Sequence, residues 1–443
     1  MRDTLLIYLF LIDATTRSHH MKHKSLGLAL AVACLFSSMQ SIIAHAGCYD
    51  PRRVIEAMAT PDEHGINPVV IAHRGLWRAD TGTTVIAPEN SPIALQKADE
   101  ACIEAVELDV KTLADGTPVV MHDFNLGGTT DIGDLKGQPL FDPYKNTGYN
   151  PLASNTSLSD FRQLRLKNSR TMQTIGAWSA PLIKDVYDYY YRHRMSTALV
   201  WDVKTKEAVI ALAKLVDADR RDYSHETTMP PISAADITVL KINATVYPNG
   251  ADYASDMKKN GVTHAPKVIP IYTTNMEKAL NDIHSSPLLS LESWKNSSSG
   301  YFLAPEIDLK QENGLLSETM NFATQNNLSV GIFNAIPDWL GGGETAGSSG
   351  IPSDKAFVNN NGECCYQLSS KYAEFNGQRD TDDKRGDWSF LYSQHFGSIT
   401  TDRSTALIQD LNLKGRATDR YGKALWRSYA PESEVIIVSM LLN

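Results

Sequence analysis

A single (β/α)8 barrel, the TIM-barrel class of α/β fold, is the architecture this sequence predicts, and three observations carry the prediction. Short β-branched runs alternate with helix-like segments along most of the chain, the pattern of βαβ units around a parallel sheet. The 443 residues are 42% hydrophobic and 21% charged, enough apolar material for a full core. Charged residues fall at the ends of strands, where a parallel barrel gathers its chemistry at one mouth. Collagen-like, disordered and coiled-coil classes are excluded by the same composition. The net charge, 42 Lys+Arg against 51 Asp+Glu or −9, argues against a protein built to hold nucleic-acid phosphates.

Taken in order, residues 69–72 read as a strand, followed by a helix over 91–101 behind Pro88-Glu89-Asn90. Strands follow at 104–110 and 118–121, then a helix over 181–194 with apolar residues at helical spacing and a strand at 198–203. Further strands are expected at 237–242, 268–272, 301–307, 330–333 and 398–401, separated by helices at 205–218, 275–283 and 315–326. This set exceeds the eight a barrel needs, so one candidate is expected to lie outside it. Residues 337–387 break the pattern with Gly341-Gly342-Gly343 and a charged cluster near 380–385, an insertion too long for a connection and of the kind that covers active sites or forms mobile surface. The tail over 411–443 includes a short apolar run at 435–442, too short to span a membrane.

Residues 1–46 are expected to stand outside the fold. Met21-Lys22-His23-Lys24 is a basic n-region, 26–36 an apolar h-region, and Ala44-His45-Ala46 a small-x-small cleavage signal, so the mature chain would begin at Gly47. The residues before Met21 read as an upstream extension. His45 stands where a lipid-attachment signal carries an aliphatic residue, so export to the periplasm or outside the cell is expected without a stable membrane anchor. Of five cysteines, Cys34 lies in the leader. No C-x-x-C spacing exists, which removes thioredoxin-like and zinc-knuckle readings. In an oxidising compartment, one of the adjacent Cys364–Cys365 pair is expected to bond Cys48 or Cys102, with the connectivity open.

The chemistry concentrates on four successive strand ends. The first ends in His73-Arg74-Gly75, the second carries Glu107-Leu108-Asp109, the third ends in His122-Asp123, and the fourth carries Asp202-Val203-Lys204. The period of two puts Glu107 and Asp109 on one face, and Asp202 and Lys204 likewise. Glu107, Asp109 and Asp202 would supply hard oxygen ligands suited to Mg²⁺ or Ca²⁺ rather than zinc. His73 and His122 would act as an acid/base pair, and Arg74 and Lys204 would balance an anionic substrate. Each element alone is commonplace; their joint occurrence reads as metal-assisted chemistry on a phosphoryl group.

At these residues the sequence resembles the glycerophosphodiester phosphodiesterase family. The likeness runs from Val69-Val70-Ile71-Ala72-His73-Arg74-Gly75 through Ala87-Pro88-Glu89-Asn90-Ser91 to Glu107-Leu108-Asp109-Val110. It continues in Asp115-Gly116-Thr117-Pro118-Val119-Val120-Met121-His122-Asp123 and Gly128-Thr129-Thr130-Asp131-Ile132-Gly133. Leu164-Arg165-Leu166-Lys167, Pro181-Leu182 and the late Ile399-Thr400-Thr401-Asp402-Arg403 also look like the family's. The resemblance implies a TIM barrel that uses a divalent cation to hydrolyse small glycerophosphodiesters to glycerol 3-phosphate and an alcohol. It implies His73 and His122 as the catalytic pair, Glu107, Asp109 and Asp202 as metal ligands, and Arg74 and Lys204 as phosphate contacts. Glu89 and Asn90 match a segment that would either brace the barrel mouth or touch substrate.

Three departures bear on substrate range. The family's third ligand is usually Glu in an E-x-K pattern, where this chain has Asp202. The stretch between Gly75 and Pro88, with Trp77 and Arg78, lengthens the first loop at the mouth. The family's W-T-V-N strand end appears as Phe333-Asn334-Ala335-Ile336, followed by the insertion. The alternative reading is a phospholipase D-like enzyme acting on sphingomyelin or lysophospholipids, whose branch Asp202-Val203-Lys204-Thr205 also resembles; a catalytically silent barrel would not retain both histidines and all three acids. No G-x-S-x-G, Walker A, G-x-G-x-x-G or H-E-x-x-H motif is present.

Overall fold

The computed structural model describes residues 48–79, 85–142, 146–168, 174–225, 231–297, 300–334, 380 and 384–416. The described residues belong to one compact unit, Gly47–Asn443. The leader, Cys34, Cys364–Cys365, the triple glycine, most of the 337–387 insertion and the apolar run at 435–442 lie outside the described residues.

Eight parallel strands close a barrel: β1 Val69–His73, β2 Ala105–Thr112, β3 Ala198–Val203, β4 Thr238–Asn243, β5 Lys267–Tyr272, β6 Glu306–Ile307, β7 Gly331–Phe333 and β8 Ser398–Thr401. Each pairs with its chain neighbour, and β1 pairs with both β2 and β8, so no barrel edge is left unpaired. The helices between them include Pro92–Glu100, Ile183–Arg192, Lys206–Ala218, Gly250–Lys259, Pro287–Asn296, Ser317–Gln325 and Ser404–Leu413. Ser91 caps the first, its Oγ accepting from the Ala94 N–H at 3.1 Å with Pro92 in the first turn; Thr205 caps Lys206–Ala218 in the same way. No helix among the described residues is long and apolar enough to cross a membrane.

Strand periodicity sorts the residues into two environments. Leu108, Val110, Leu199, Trp201, Val203, Leu240 and Ile242 point outward and pack under the helices in one continuous core. Val69, Ile71, Ala105, Ala198, Val200, Val239 and Ile269 instead cluster with Val54, Ile55 and Met58 of the N-terminal helix Pro51–Met58. The lower barrel interior is therefore apolar and sealed by that helix. One or two residues further along the same inward rows come His73, Glu107, Asp109, Asp202 and Lys241. A charge cannot be left unpaired in such a place without a large desolvation cost, so partners must be found at the upper end.

Two expectations are corrected. Pro118–Val120 is not a barrel strand: it runs antiparallel to β2, with Val110 opposite Val120 and Thr112 opposite Pro118. The Asp115-Gly116 turn reverses the chain there; Gly116 has φ 82°, which a Cβ would strain, and Asp115 Oδ1 accepts from the Thr117 N–H at 2.9 Å. β2 therefore overshoots the mouth, and its return strand brings His122 back toward the level of Asp109. The disulfide also differs: Cys48 bonds Cys102, with Cα atoms 5.5 Å apart, rather than either bonding a cysteine of the insertion. It joins the start of the described chain to the end of helix Pro92–Glu100. The strand expected over 301–307 shortens to Glu306–Ile307, and a small antiparallel pair, Arg165–Lys167 with Thr174–Ser179, was not anticipated.

Candidate active site

All seven residues singled out from the sequence meet at the carboxyl ends of the strands. Six of them (His73, Glu107, Asp109, His122, Asp202 and Lys204) line a single cavity of about 210 Å³. Parallel pairing sets His73 opposite Glu107 and Asp109 opposite Asp202. Glu107, Asp109 and Asp202 each place a carboxylate oxygen within 4.8 Å of the others.

These carboxylates are held from behind. Glu107 Oε2 accepts from Lys241 Nζ at 2.6 Å. Asp109 Oδ2 accepts from Asn90 Nδ2 at 3.0 Å, while the Asp109 N–H donates to Asn90 Oδ1 at 2.9 Å. Asp202 Oδ2 takes the Lys204 ammonium. What remains is informative: Asp109 Oδ1 and Asp202 Oδ1 are buried and have no hydrogen-bond partner. Buried carboxylate oxygens are rarely left so. Two orphaned oxygens beside a third acid form a hard-oxygen donor set that fits Mg²⁺ or Ca²⁺. Burial alone would raise the pKa of Asp109, but His122, Arg74 and Lys111 together hold it well below the usual carboxylate range; burial likewise raises Glu107, and Lys241 and His73 bring it below its ordinary value. Both acids stay ionised, as ligands must.

The two histidines share a design. His73 Nδ1 lies 2.9 Å from Asp402 Oδ1, which also accepts from Trp77 Nε1 at 3.1 Å; His122 Nδ1 lies 2.7 Å from Asp123 Oδ1. In each, a carboxylate holds Nδ1 and so fixes the ring. His73 Nε2 is 3.9 Å from Glu107 Oε1, and the ring meets Phe333 edge-on at 4.9 Å. Burial would depress His73, and Arg74 opposes its charge, but Asp402 together with Glu107 raises its pKa to about 9. His122 is raised too, with burial and Arg74 opposed by Asp109 and Asp123.

Arg74 does not reach the cavity wall. Its backbone has φ 58°, and its buried guanidinium donates to Glu89 Oε1 at 2.9 Å and to His73 Nε2 at 3.2 Å. Glu89 and Asn90 are thus braces, one for Arg74 and the other for Asp109. Gly75 follows because helix Pro92–Glu100 presses on it: a Cβ there would lie 2.7 Å from Ala94 Cβ. Lys204 does face the cavity; burial would lower its pKa, but Asp202 and Asp109 raise it above the ordinary value.

Other functional neighbours escaped the sequence reading. Lys241 bridges Glu107 and Glu306, 2.6 Å from each, and donates to Thr400 Oγ1 at 2.6 Å. One ammonium shared between two acids leaves Glu306, under burial, with a pKa pushed up to about 7. Asp308 and Arg385 complete the far wall. The signal was present: Lys241 interrupts an apolar strand, and Glu306-Ile307-Asp308 repeats the spacing of Glu107-Leu108-Asp109. Asp402 stood in a motif without an assigned role.

A closed parallel barrel with titratable groups gathered at its carboxyl mouth is the layout of barrel enzymes. Residues 73–257 match the model of the glycerophosphoryl diester phosphodiesterase family. Glycerophosphodiester phosphodiesterase 1 of Bos taurus is 29% identical over 141 residues, 31% of this chain and 39% of that protein. Glycerophosphodiester phosphodiesterase domain-containing protein 5 of Gallus gallus is 38% identical over 71 residues, covering 16% of this chain and 11% of that protein. The chain therefore spans well under half the length of these curated relatives. A crystal structure of a glycerophosphoryl diester phosphodiesterase from Parabacteroides distasonis aligns with a TM-score of 0.48 at 12% identity, covering 83% of this chain and 94% of that one.

Proposed function

We propose that this chain hydrolyses small glycerophosphodiesters to glycerol 3-phosphate and an alcohol, using a divalent cation and a pair of histidines. The observation that carries this reading is the pair of orphaned carboxylate oxygens on Asp109 and Asp202, beside Glu107 and in the same cavity as two histidines. Glu107, Asp109 and Asp202 would hold the cation, which when bound polarises the phosphodiester and stabilises charge developing on its oxygens. His73 suits the base. Asp402 holds the Nδ1 proton, so Nε2, which accepts from Arg74 in the cation-free chain, is the atom that would take a proton from the nucleophile, water or the neighbouring glycerol hydroxyl. It would do so in the neutral form of the ring, which the raised pKa makes the minor one near pH 7. His122, oriented by Asp123, delivers a proton to the leaving oxygen. Lys204 attracts the substrate anion, and Arg74 acts from behind by fixing His73. Export to an oxidising compartment belongs to the same proposal and is supported by the Cys48–Cys102 disulfide.

The test is an assay of the chain from Gly47 with glycerophosphocholine and Ca²⁺, Mg²⁺ or EDTA, following glycerol 3-phosphate and choline separately. Equal release of both, stopped by EDTA, is the expected result. Choline release from lysophosphatidylcholine, with glycerophosphocholine untouched, would instead assign the chain to phospholipase D-like chemistry.

A further inference from the structure

One stretch of the cavity wall carries no charge. On β4 the inward row runs Val239, Lys241, Asn243; on β5 it runs Ile269, Ile271 and then Thr273, which continues the extended backbone one residue past the strand (φ −118°, ψ 158°). Parallel pairing sets Asn243 level with Ile271. Asn243, Ile271 and Thr273 all line the cavity, and Met276, in the turn after β5, joins them. Among the described residues, the charged groups lining the cavity come from β2, β3 and the residues at and after β6, so this neutral stretch lies between two acidic ones.

Asn243 is held in one orientation. Its Oδ1 accepts from the Thr245 N–H at 3.0 Å and from Thr245 Oγ1 at 2.7 Å, an Asx turn that closes off β4. A backbone N–H can only donate, so the amide cannot turn over without losing that bond. The amide nitrogen, Nδ2, therefore points away from the turn. Among the described residues it has no hydrogen-bond partner, and it remains accessible. The Thr273 hydroxyl on the neighbouring strand is likewise accessible and without a partner among the described residues. The wall thus offers a fixed amide donor and a hydroxyl, with Ile271 and Met276 as apolar neighbours. Each hydroxyl of a small polyol donates and accepts, and its carbons are apolar, so a polyol complements this set. A quaternary ammonium is drawn to aromatic faces or acids, and a phosphate to cations; this stretch offers none of them.

We propose that the β4–β5 wall is the glycerol subsite of the cavity, and that Asn243 is a substrate-contacting residue whose Nδ2 donates to a glycerol hydroxyl. This rests on reading the cavity as a glycerophosphodiester site. It gives the substrate a direction: glycerol lies against β4 and β5, the phosphate faces Glu107, Asp109, Asp202 and Lys204, and the variable alcohol points away from the neutral wall. A ligand that lacks the hydroxyl leaves the amide unpaired, which is how such a group selects its substrate.

The experiment titrates three probes into the wild-type chain, Asn243→Ala and Asn243→Ser in the presence of Ca²⁺ or Mg²⁺. They are sn-glycerol 3-phosphate, 2-hydroxypropyl phosphate, which lacks the terminal hydroxyl, and 3-hydroxypropyl phosphate, which lacks the secondary one. Turnover of glycerophosphocholine is measured alongside. Wild type is expected to bind glycerol 3-phosphate more tightly than either deoxy probe. In Asn243→Ala the preference over one of the two should shrink by about 3- to 10-fold, the size of a neutral hydrogen bond, because enzyme donor and ligand hydroxyl are lost as a pair. Alanine also gives up the turn to Thr245. Should that variant melt early, Asn243→Ser decides by the same preference, because its hydroxyl still accepts from the Thr245 N–H and is too short to set a donor where Nδ2 lies. A folded variant that keeps the wild-type preference over both deoxy probes overturns the proposal, whether or not the chain is a hydrolase; so does a wild-type chain with no preference. An Asn243-dependent preference without turnover of glycerophosphocholine sustains the subsite and removes the hydrolase reading. A wild-type chain that binds none of the probes and hydrolyses nothing overturns both.

Discussion

His122 and His73 occupy equivalent-looking settings but differ in exposure, and that difference separates the roles proposed for them. The His122 side chain is 24% exposed, where a leaving group can be protonated and depart; His73 lies at 6%, pressed between Asp402, Arg74 and Phe333. His122→Ala is expected to lower kcat by roughly 10²–10⁴-fold with the melting temperature unchanged, the ordinary loss for a general acid or base. A fully active variant would reassign the proton donor. His73 also has a measurable effect on stability in the cation-free chain. Its pKa is about 9 in the fold against an ordinary value of 6.5. Its stabilising contribution is therefore complete below about pH 6.5 and is lost as pH rises through about 9. Asp402→Asn removes the carboxylate that holds the charge, so urea midpoints in EDTA should fall less between those pH values than in wild type. A slope identical to wild type would show that Asp402 does not set the His73 equilibrium.

The hairpin after β2 is the element that makes the site. A barrel strand runs toward the mouth once and leaves, yet here the chain turns at Asp115-Gly116 and comes back, so that one strand segment supplies Glu107 and Asp109 and its return supplies His122. The register of that turn therefore sets where the imidazole lies. Gly116→Val forces a branched side chain into a backbone with φ 82°, at a cost of about 1–2 kcal/mol. Lowered thermal stability and reduced kcat with near-normal cation binding are expected, because the proposed metal ligands sit on barrel strands and the histidine does not. Loss of stability with kcat intact would mean that His122 is placed by its own contacts, not by the turn. Strand positions were legible from β-branched runs, and 198–203 and 398–401 fall where they were expected. The direction of Pro118–Val120 was not legible, because alternation shows which residues share a face and says nothing of parallel or antiparallel pairing.

At the scale of the whole molecule, the barrel divides into an apolar base, sealed by Pro51–Met58, and a charged mouth whose acids are stabilised only in part by internal cations. A divalent ion that binds the folded chain alone should raise its stability by mass action, about 2.7 kcal/mol at a hundredfold excess over Kd. Ca²⁺ or Mg²⁺ is accordingly expected to raise Tm relative to EDTA, and Asp109→Asn to abolish that rise while keeping the amide within reach of Asn90. A cation-dependent Tm that survives the substitution would remove the carboxylate trio as the binding site.

Residues that share one strand or a short hairpin reveal themselves by spacing, which is why His73, Glu107, Asp109, His122, Asp202 and Lys204 could be named before their geometry was known: two-residue periodicity and barrel topology are local rules. The partners that make those residues work come from far along the chain. Asp402 is 329 positions from the histidine it orients, Lys241 is 134 from Glu107, and Arg385 is 77 from Asp308. No periodicity links such positions. They meet because closing the barrel sets β8 beside β1 and forces inward-pointing charges to pair across an interior from which water is excluded, and only the closed fold decides which charge meets which.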